Sequence, residues 1–133
     1  MLIFYQLEKS TKRYKVSVYT GGKLGGGTDA NVYIQIFGES AGHDSGLQPL
    51  RKDGRNLFER NKCDEFQIES YDLGVVRRVL VFQDNSGTSP SWYLDRILIT
   101  DLASNDVYNF PCEQWLSKSK SDKRLWKELY ATP

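Results

Sequence analysis

Residues 31–38 read NVYIQIFG, and within them Val32, Ile34 and Ile36 alternate with Tyr33, Gln35 and Phe37. A period of two belongs to an extended chain whose successive side chains fall on opposite faces of a sheet. The same period recurs in both directions along the sequence. Upstream, Tyr14, Val16 and Val18 alternate with Lys15, Ser17 and Tyr19. Downstream, Phe66 and Ile68 alternate with Gln67 and Glu69, and Ile97 and Ile99 with Arg96, Leu98 and Thr100. Val79 to Phe82 is apolar throughout, the pattern of a strand buried on both faces, and a last strand is predicted over about Val107 to Cys112.

Turn-forming clusters separate these runs: GGKLGGG (21–27), GESAGHDSG (38–46), KDG (52–54), DLG (72–74), DNSGTSPS (84–91) and ASND (103–106). Short strands punctuated in this way predict an all-β antiparallel sandwich or barrel. Its expected core is Val16, Val18, Ile34, Ile36, Phe66, Ile68, Val79, Val81, Trp92, Leu94, Ile97, Ile99 and Phe110. Only 113–130 tolerates a helical reading, as one or two turns with Trp115, Leu116, Leu125, Trp126 and Leu129 as contacts.

A chain of 133 residues has room for one domain and can bury a core without disulfides. Residues 1–12 are read as an N-terminal extension and 13–130 as the domain. Eight Tyr, six Phe and three Trp suit the pleated surface of strands. Cys63 and Cys112 lack metal-ligand spacing; one disulfide between them is an alternative, and two buried free thiols are the expectation. The apolar start, MLIFYQL (1–7), is too short for a signal peptide, and no stretch is long enough to span a bilayer, so a cytoplasmic location is the expectation.

The formal net charge of +1 argues against nucleic-acid binding by bulk electrostatics. Positive charge gathers at both ends of the sequence, in Lys9, Lys12, Arg13 and Lys15 and again in Lys118, Lys120, Lys123, Arg124 and Lys127. His43 is the single histidine and lies in a turn cluster, which excludes a two-histidine metal site and disfavours a catalytic triad. The glycine-rich GGKLGGGTD places its lysine ahead of the last glycines, unlike a phosphate-binding loop. No enzymatic activity is expected. What the loops do offer is oxygen, in Gly27-Thr28-Asp29, in Asp53 to Arg60 and in Asp84-Asn85-Ser86, a donor type that suits a hard cation such as Ca²⁺ and also suits ordinary turns.

The segments YKVSVYTG, GGGTDANVYIQIFGE, NLFERNKCDEFQIE, DNSGTSPSWYLDRILITD and YNFPCEQWL occur in this order between Tyr14 and Leu116. Together they resemble the PLAT domain, also called the lipoxygenase-homology (LH2) domain, and most resemble its repeats in animal lipoxygenase-homology-domain proteins. The resemblance implies an eight-stranded antiparallel β-sandwich of two four-stranded sheets. It also implies a non-catalytic module that targets a larger protein to an anionic lipid membrane or a membrane-associated protein, often with Ca²⁺, and that can neighbour further PLAT repeats. The alternative within the resemblance is a calcium-independent protein-interaction scaffold.

By the same resemblance, the Ca²⁺ ligands would come from Gly27, Thr28 and Asp29, matching a G-T-D segment, and from Asn56 and Glu59, matching an N-D-F-E segment. The acidic residue of that second segment is Leu57 here, with Asp53 upstream as its substitute. A second ion in lipoxygenases uses an acidic residue just before the W-Y-L block; that position is Ser91, leaving Asp84 or Asn85 to serve. Docking residues carried over in this way are Lys23 and Leu24, in the loop before G-T-D, and Trp115.

Overall fold

The computed structural model describes residues 11–39 and 43–133. Eight strands occur: β1 (Thr11–Thr20), β2 (Val32–Gly38), β3 (Gln48–Pro49), β4 (Cys63–Tyr71), β5 (Val76–Gln83), β6 (Trp92–Asp101), β7 (Val107–Leu116) and β8 (Trp126–Tyr130). They form two four-stranded sheets with orders β4-β1-β6-β7 and β3-β2-β5-β8. All pairings are antiparallel. The eight-stranded sandwich expected from the resemblance is therefore the fold. Residues 1–10 of the expected extension lie outside the described residues, and Thr11 and Lys12 already belong to β1, opposite Tyr71 and Ser70.

The inward phase of each strand builds the core. All thirteen residues expected inside are buried, and Tyr14, Leu50, Phe58, Leu73, Val76, Leu116 and Leu129 join them. Two large polar side chains of this core are paired, which avoids the cost of leaving a polar group dry and unmatched, whereas the buried Ser70 Oγ has no partner among the described residues. The Tyr14 hydroxyl accepts a hydrogen bond from the Leu73 N–H at 3.1 Å, and the Trp92 indole donates to Thr20 Oγ1 at 2.9 Å.

Three expectations need correction. Residues 113–130 hold no helix: β7 continues to Leu116, β8 takes Trp126–Tyr130, and the polar run between them turns through Ser121 and Lys123, both at positive φ. A left-handed residue in the run breaks a right-handed helix. Leu80 and Phe82 are half-buried on an outer face, because nothing packs over the second sheet among the described residues. Cys63 is exposed and Cys112 half-buried; β4 and β7 are the two edges of one sheet, about 14 Å apart at three strand spacings, beyond the reach of a disulfide.

Strand direction sorts the connections to two ends. Segments 21–31, 50–62, 84–91 and 117–125 lie at one, here the loop end; 72–75 and 102–106 lie at the other, where the chain also enters β1 and leaves β8. Replacing Tyr14 by Phe keeps the ring but leaves the Leu73 N–H dry. The expected cost is about 1–3 kcal/mol, read as a lower urea midpoint at unchanged m-value; an unchanged midpoint would show that water reaches Leu73.

Candidate functional site

The loop end is assembled by backbone contact between segments 21–31 and 50–62. Thr28 N–H donates to the Phe58 carbonyl at 3.0 Å, and Asn61 N–H to the Gly21 carbonyl at 3.3 Å. Phe58 anchors the second segment: it is buried, its ring lies 5.8 Å from Phe66 and 5.4 Å from Trp92, and its N–H donates to Asp64. A Cβ at Gly27 would stand 3.0 Å from the Phe58 carbonyl, so this approach needs glycine.

Two adjoining depressions result, sharing Thr28, Asp29, Phe58 and Glu59. The first, about 480 Å³, also takes in Leu24 and Gly27; the second, about 400 Å³, takes in Asp53 and Asn56. The structure thus brings Gly27, Thr28, Asp29, Asp53, Asn56 and Glu59 to one place. Leu57 does not share it as a ligand could: it is half-buried and packs on the core.

Proximity is not yet coordination. The Asp29 carboxylate already accepts from Thr88 N–H (2.9 Å), Thr88 Oγ1 (3.1 Å) and Ser89 N–H (3.1 Å), which hold it below the ordinary carboxylate pKa, the Thr88 N–H most of all. Gly87 (φ 81°) passes so close that a Cβ there would press on this carboxylate. Thr28 Oγ1 donates to the Pro90 carbonyl at 2.6 Å and accepts from Ala30 N–H. Among the described residues no three His, Cys, Asp or Glu side chains converge as metal ligands would. Within this set Glu59 and Asp53, both exposed, accept no side-chain hydrogen bond among the described residues. This set fits a loosely held oxygen-bound cation and no tight cage.

Asp84 lies in neither depression. Its oxygens accept from Asn31 N–H, Asn31 Nδ2, Ser86 N–H and Ser86 Oγ, tying segment 84–91 to the start of β2. These bonds, led by that of the Ser86 hydroxyl, hold its carboxyl at about 2. Asn85 N–H is taken by Gln83 Oε1.

Two of the residues expected to dock, Lys23 and Trp115, are linked by a side chain that sequence reading placed only within the W-Y-L block. Tyr93 lies beneath segment 21–26: its carbonyl accepts from Gly21 N–H, its N–H donates to the Gly26 carbonyl, and a Cβ on Gly21 would strike its ring. The Lys23 ammonium stands 5.7 Å from that ring, Trp115 meets it edge-on at 5.4 Å, and Lys120 lies 4.7 Å above Trp115. Trp115 is half-buried in this stack, whereas Leu24 is 87% exposed at the loop tip.

Charge is sorted between the ends. The four segments of the loop end carry ten Lys and Arg against five Asp and Glu, a balance of +5 within a chain of net +1. The opposite end holds Glu39, Asp44, Asp72, Asp101 and Asp106, of which Asp72 and Asp101 flank Lys12. The basic start of the sequence is spent there and along the first sheet: Lys12 pairs with Asp101, Arg13 with Glu69 and Lys15 with Glu65. The basic tract 118–124 is what reaches the loop end.

Asp84 makes a pH prediction. A carboxyl whose folded pKa lies below its unfolded value adds stability that is present above the ordinary carboxylate range and is lost as pH falls. Segment 84–86 is therefore expected to hold near pH 4 and release as pH approaches about 2. In a carbon-detected NMR titration the Asp84 midpoint should rise in Ser86→Ala; an ordinary midpoint in the unaltered chain would refute the network.

Residues 14–128 match the model of the PLAT/LH2 domain. Over 118 residues the chain is 40% identical to lipoxygenase homology domain-containing protein 1 of Mus musculus, covering 89% of this chain and 6% of that protein. It is 36% identical over 105 residues to the polycystin family receptor for egg jelly of Mus musculus, covering 78% of this chain and 5% of that protein. Coral 8R-lipoxygenase superposes with a TM-score of 0.77 at 27% identity, over 90% of this chain and 17% of that one; its structure is described as showing calcium activation via a C2-like domain. The chain thus spans a small fraction of the length of the relatives it matches. With a sandwich of the same form and a family match from residue 14 to residue 128, the chain belongs to the PLAT/LH2 domain family.

Proposed function

We infer that this PLAT domain is a non-catalytic docking module whose basic loop end settles on an anionic lipid surface, with Ca²⁺ as a weak modulator. The carrying observation is Leu24, 87% exposed at the tip of a loop within an end that bears +5. Each Lys or Arg near an anionic leaflet contributes about 1 kcal/mol. Leu24 adds about 1.5–3 kcal/mol if fully inserted. Sums of this size support reversible attachment, peripheral to a membrane such as the cytoplasmic leaflet, and durable anchoring needs a second signal or further modules.

Calcium enters through the likeness to a lipoxygenase described as calcium-activated and through the exposed Glu59 and Asp53. An ion held there by two carboxylates and neutral oxygens has an affinity on the order of 10⁻⁴–10⁻³ M. It would bridge Glu59 to headgroup phosphates and cancel the local negative charge. The calcium-independent scaffold is the second reading, favoured by the hydrogen bonds that already occupy Asp29 and by the packing of Leu57.

Sedimentation with phosphatidylserine-containing vesicles separates the two. Binding is expected to weaken with salt, to fall about tenfold in Leu24→Ser combined with Lys120→Ala, and to rise with millimolar Ca²⁺ in the unaltered domain. Glu59→Gln should remove the calcium increment and leave the basal binding. Asp29→Ala is a poor probe, since it also unpins Thr88 and Ser89. A domain that ignores these vesicles at low salt and millimolar Ca²⁺ is a protein scaffold.

A further inference from the structure

The outer face of the second sheet carries a row of aromatic rings that membrane docking by the loop end does not use, bordered by two of that end's cations, Arg51 and Arg124. The register sets Tyr33 opposite Phe82 and Phe82 opposite Trp126, so β2, β5 and β8 present one continuous row of three aromatic rings. Tyr33 and Phe82 stack at 5.3 Å. The next row places Leu80 between Gln35 and Glu128, and Leu47 flanks it, 54% exposed. Gln35, Leu47, Leu80, Phe82 and Trp126 line an open groove of about 450 Å³.

Guanidinium groups close both ends of the aromatic row. Arg51 reaches the Tyr33 hydroxyl at 3.3 Å, and Arg124 lies 5.0 Å over the Trp126 ring. Neither has a carboxylate partner among the described residues. The carboxylates beside the groove are already engaged: Glu128 by Arg78 at 3.0 Å and by the Tyr130 hydroxyl, and Asp44 by Gln35 Nε2 at 3.0 Å and by Gly46 N–H. The face therefore offers an apolar floor bordered by two guanidiniums without a carboxylate partner, while the carboxylates beside it already accept hydrogen bonds. Aromatic and arginine side chains are the types that dominate protein-binding hot spots. Guanidinium groups held on ring faces are preorganised for carboxylates.

We propose that this face binds an extended segment of a partner protein, with a bulky apolar side chain seated over Leu80 and Phe82 and a carboxylate to either side, one for Arg51 and one for Arg124. Two strand spacings separate Tyr33 from Trp126, about 10 Å, and the guanidiniums lie at or beyond those rings. An extended segment rises about 3.3 Å per residue, so the two carboxylates belong about four residues apart, with the apolar residue midway. The segment runs across the strands, its affinity coming from side chains and not from added sheet hydrogen bonds.

The probe is a short synthetic peptide with a central leucine and a glutamate two positions to either side, titrated into the isotopically labelled chain. The expected result is a saturable shift of the Trp126 indole and of the Leu80 and Phe82 amides. The double variant Arg51→Gln, Arg124→Gln should weaken it about tenfold, and Leu80→Thr, which alters only the outer face, should weaken it comparably while leaving the remaining spectrum intact. The same peptide with lysines in place of the glutamates should shift nothing. No shift at these residues, or equal shifts with the lysine peptide, overturns the proposal. So do concentration-dependent shifts of this face without peptide, which would make a second copy its occupant, and selective broadening by anionic vesicles, which would make it a lipid surface.

Discussion

The Pro90 carbonyl oxygen accepts two hydrogen bonds, 2.6 Å from Thr28 Oγ1 and 3.0 Å from Gln83 Nε2. Gln83 is fully buried, and its amide also donates to the Leu116 carbonyl and accepts from Asn85 N–H. One side chain at the end of β5 thus ties segment 84–91 to the end of β7, and through Pro90 to the G-T-D loop. A buried amide is tolerated only when each of its groups is matched, so these segments have little freedom to move independently. The geometry of the loop end follows: Asp29 can meet Thr88 and Ser89 because Pro90 beside them is already held.

That constraint changes the meaning of the acidic residues. Asp29 and Asp84 look alike in a sequence, each an aspartate in a polar loop, and both are consumed as acceptors for backbone and hydroxyl donors. An internal N–H takes the place a cation would fill in a site with more carboxylates. Glu59 and Asp53, exposed and less confined, keep their charge available. The loop end is thus firmly built around carboxylates that no longer attract cations strongly, within a surface dominated by Lys and Arg.

Much of this was legible before any coordinates. The alternation in β1, β2, β4 and β6 named the core, because a half-buried strand writes its burial directly into its sequence. The G-T-D and N-x-F-E segments, singled out by the resemblance, line the same pair of depressions. What stayed hidden depends on partners distant in the chain. No local pattern says that Leu73 will donate to Tyr14, fifty-nine positions away, or that donors at 88 and 89 will occupy Asp29. Leu80 and Phe82 misled for another reason: an apolar run reads the same whether its second face is covered or bare. Tyr93, which links Lys23 to Trp115, had no signal beyond its membership of a motif.

The chain enters β1 and leaves β8 at the end remote from Leu24 and the paired depressions. Polypeptide attached before Thr11 or after Tyr130 therefore starts out from the far side of the sandwich. Within a longer chain, the loop end would face away from both points of attachment, like a pendant from its point of suspension. Polypeptide added at either terminus would then leave the loops of the opposite end unobstructed at their base.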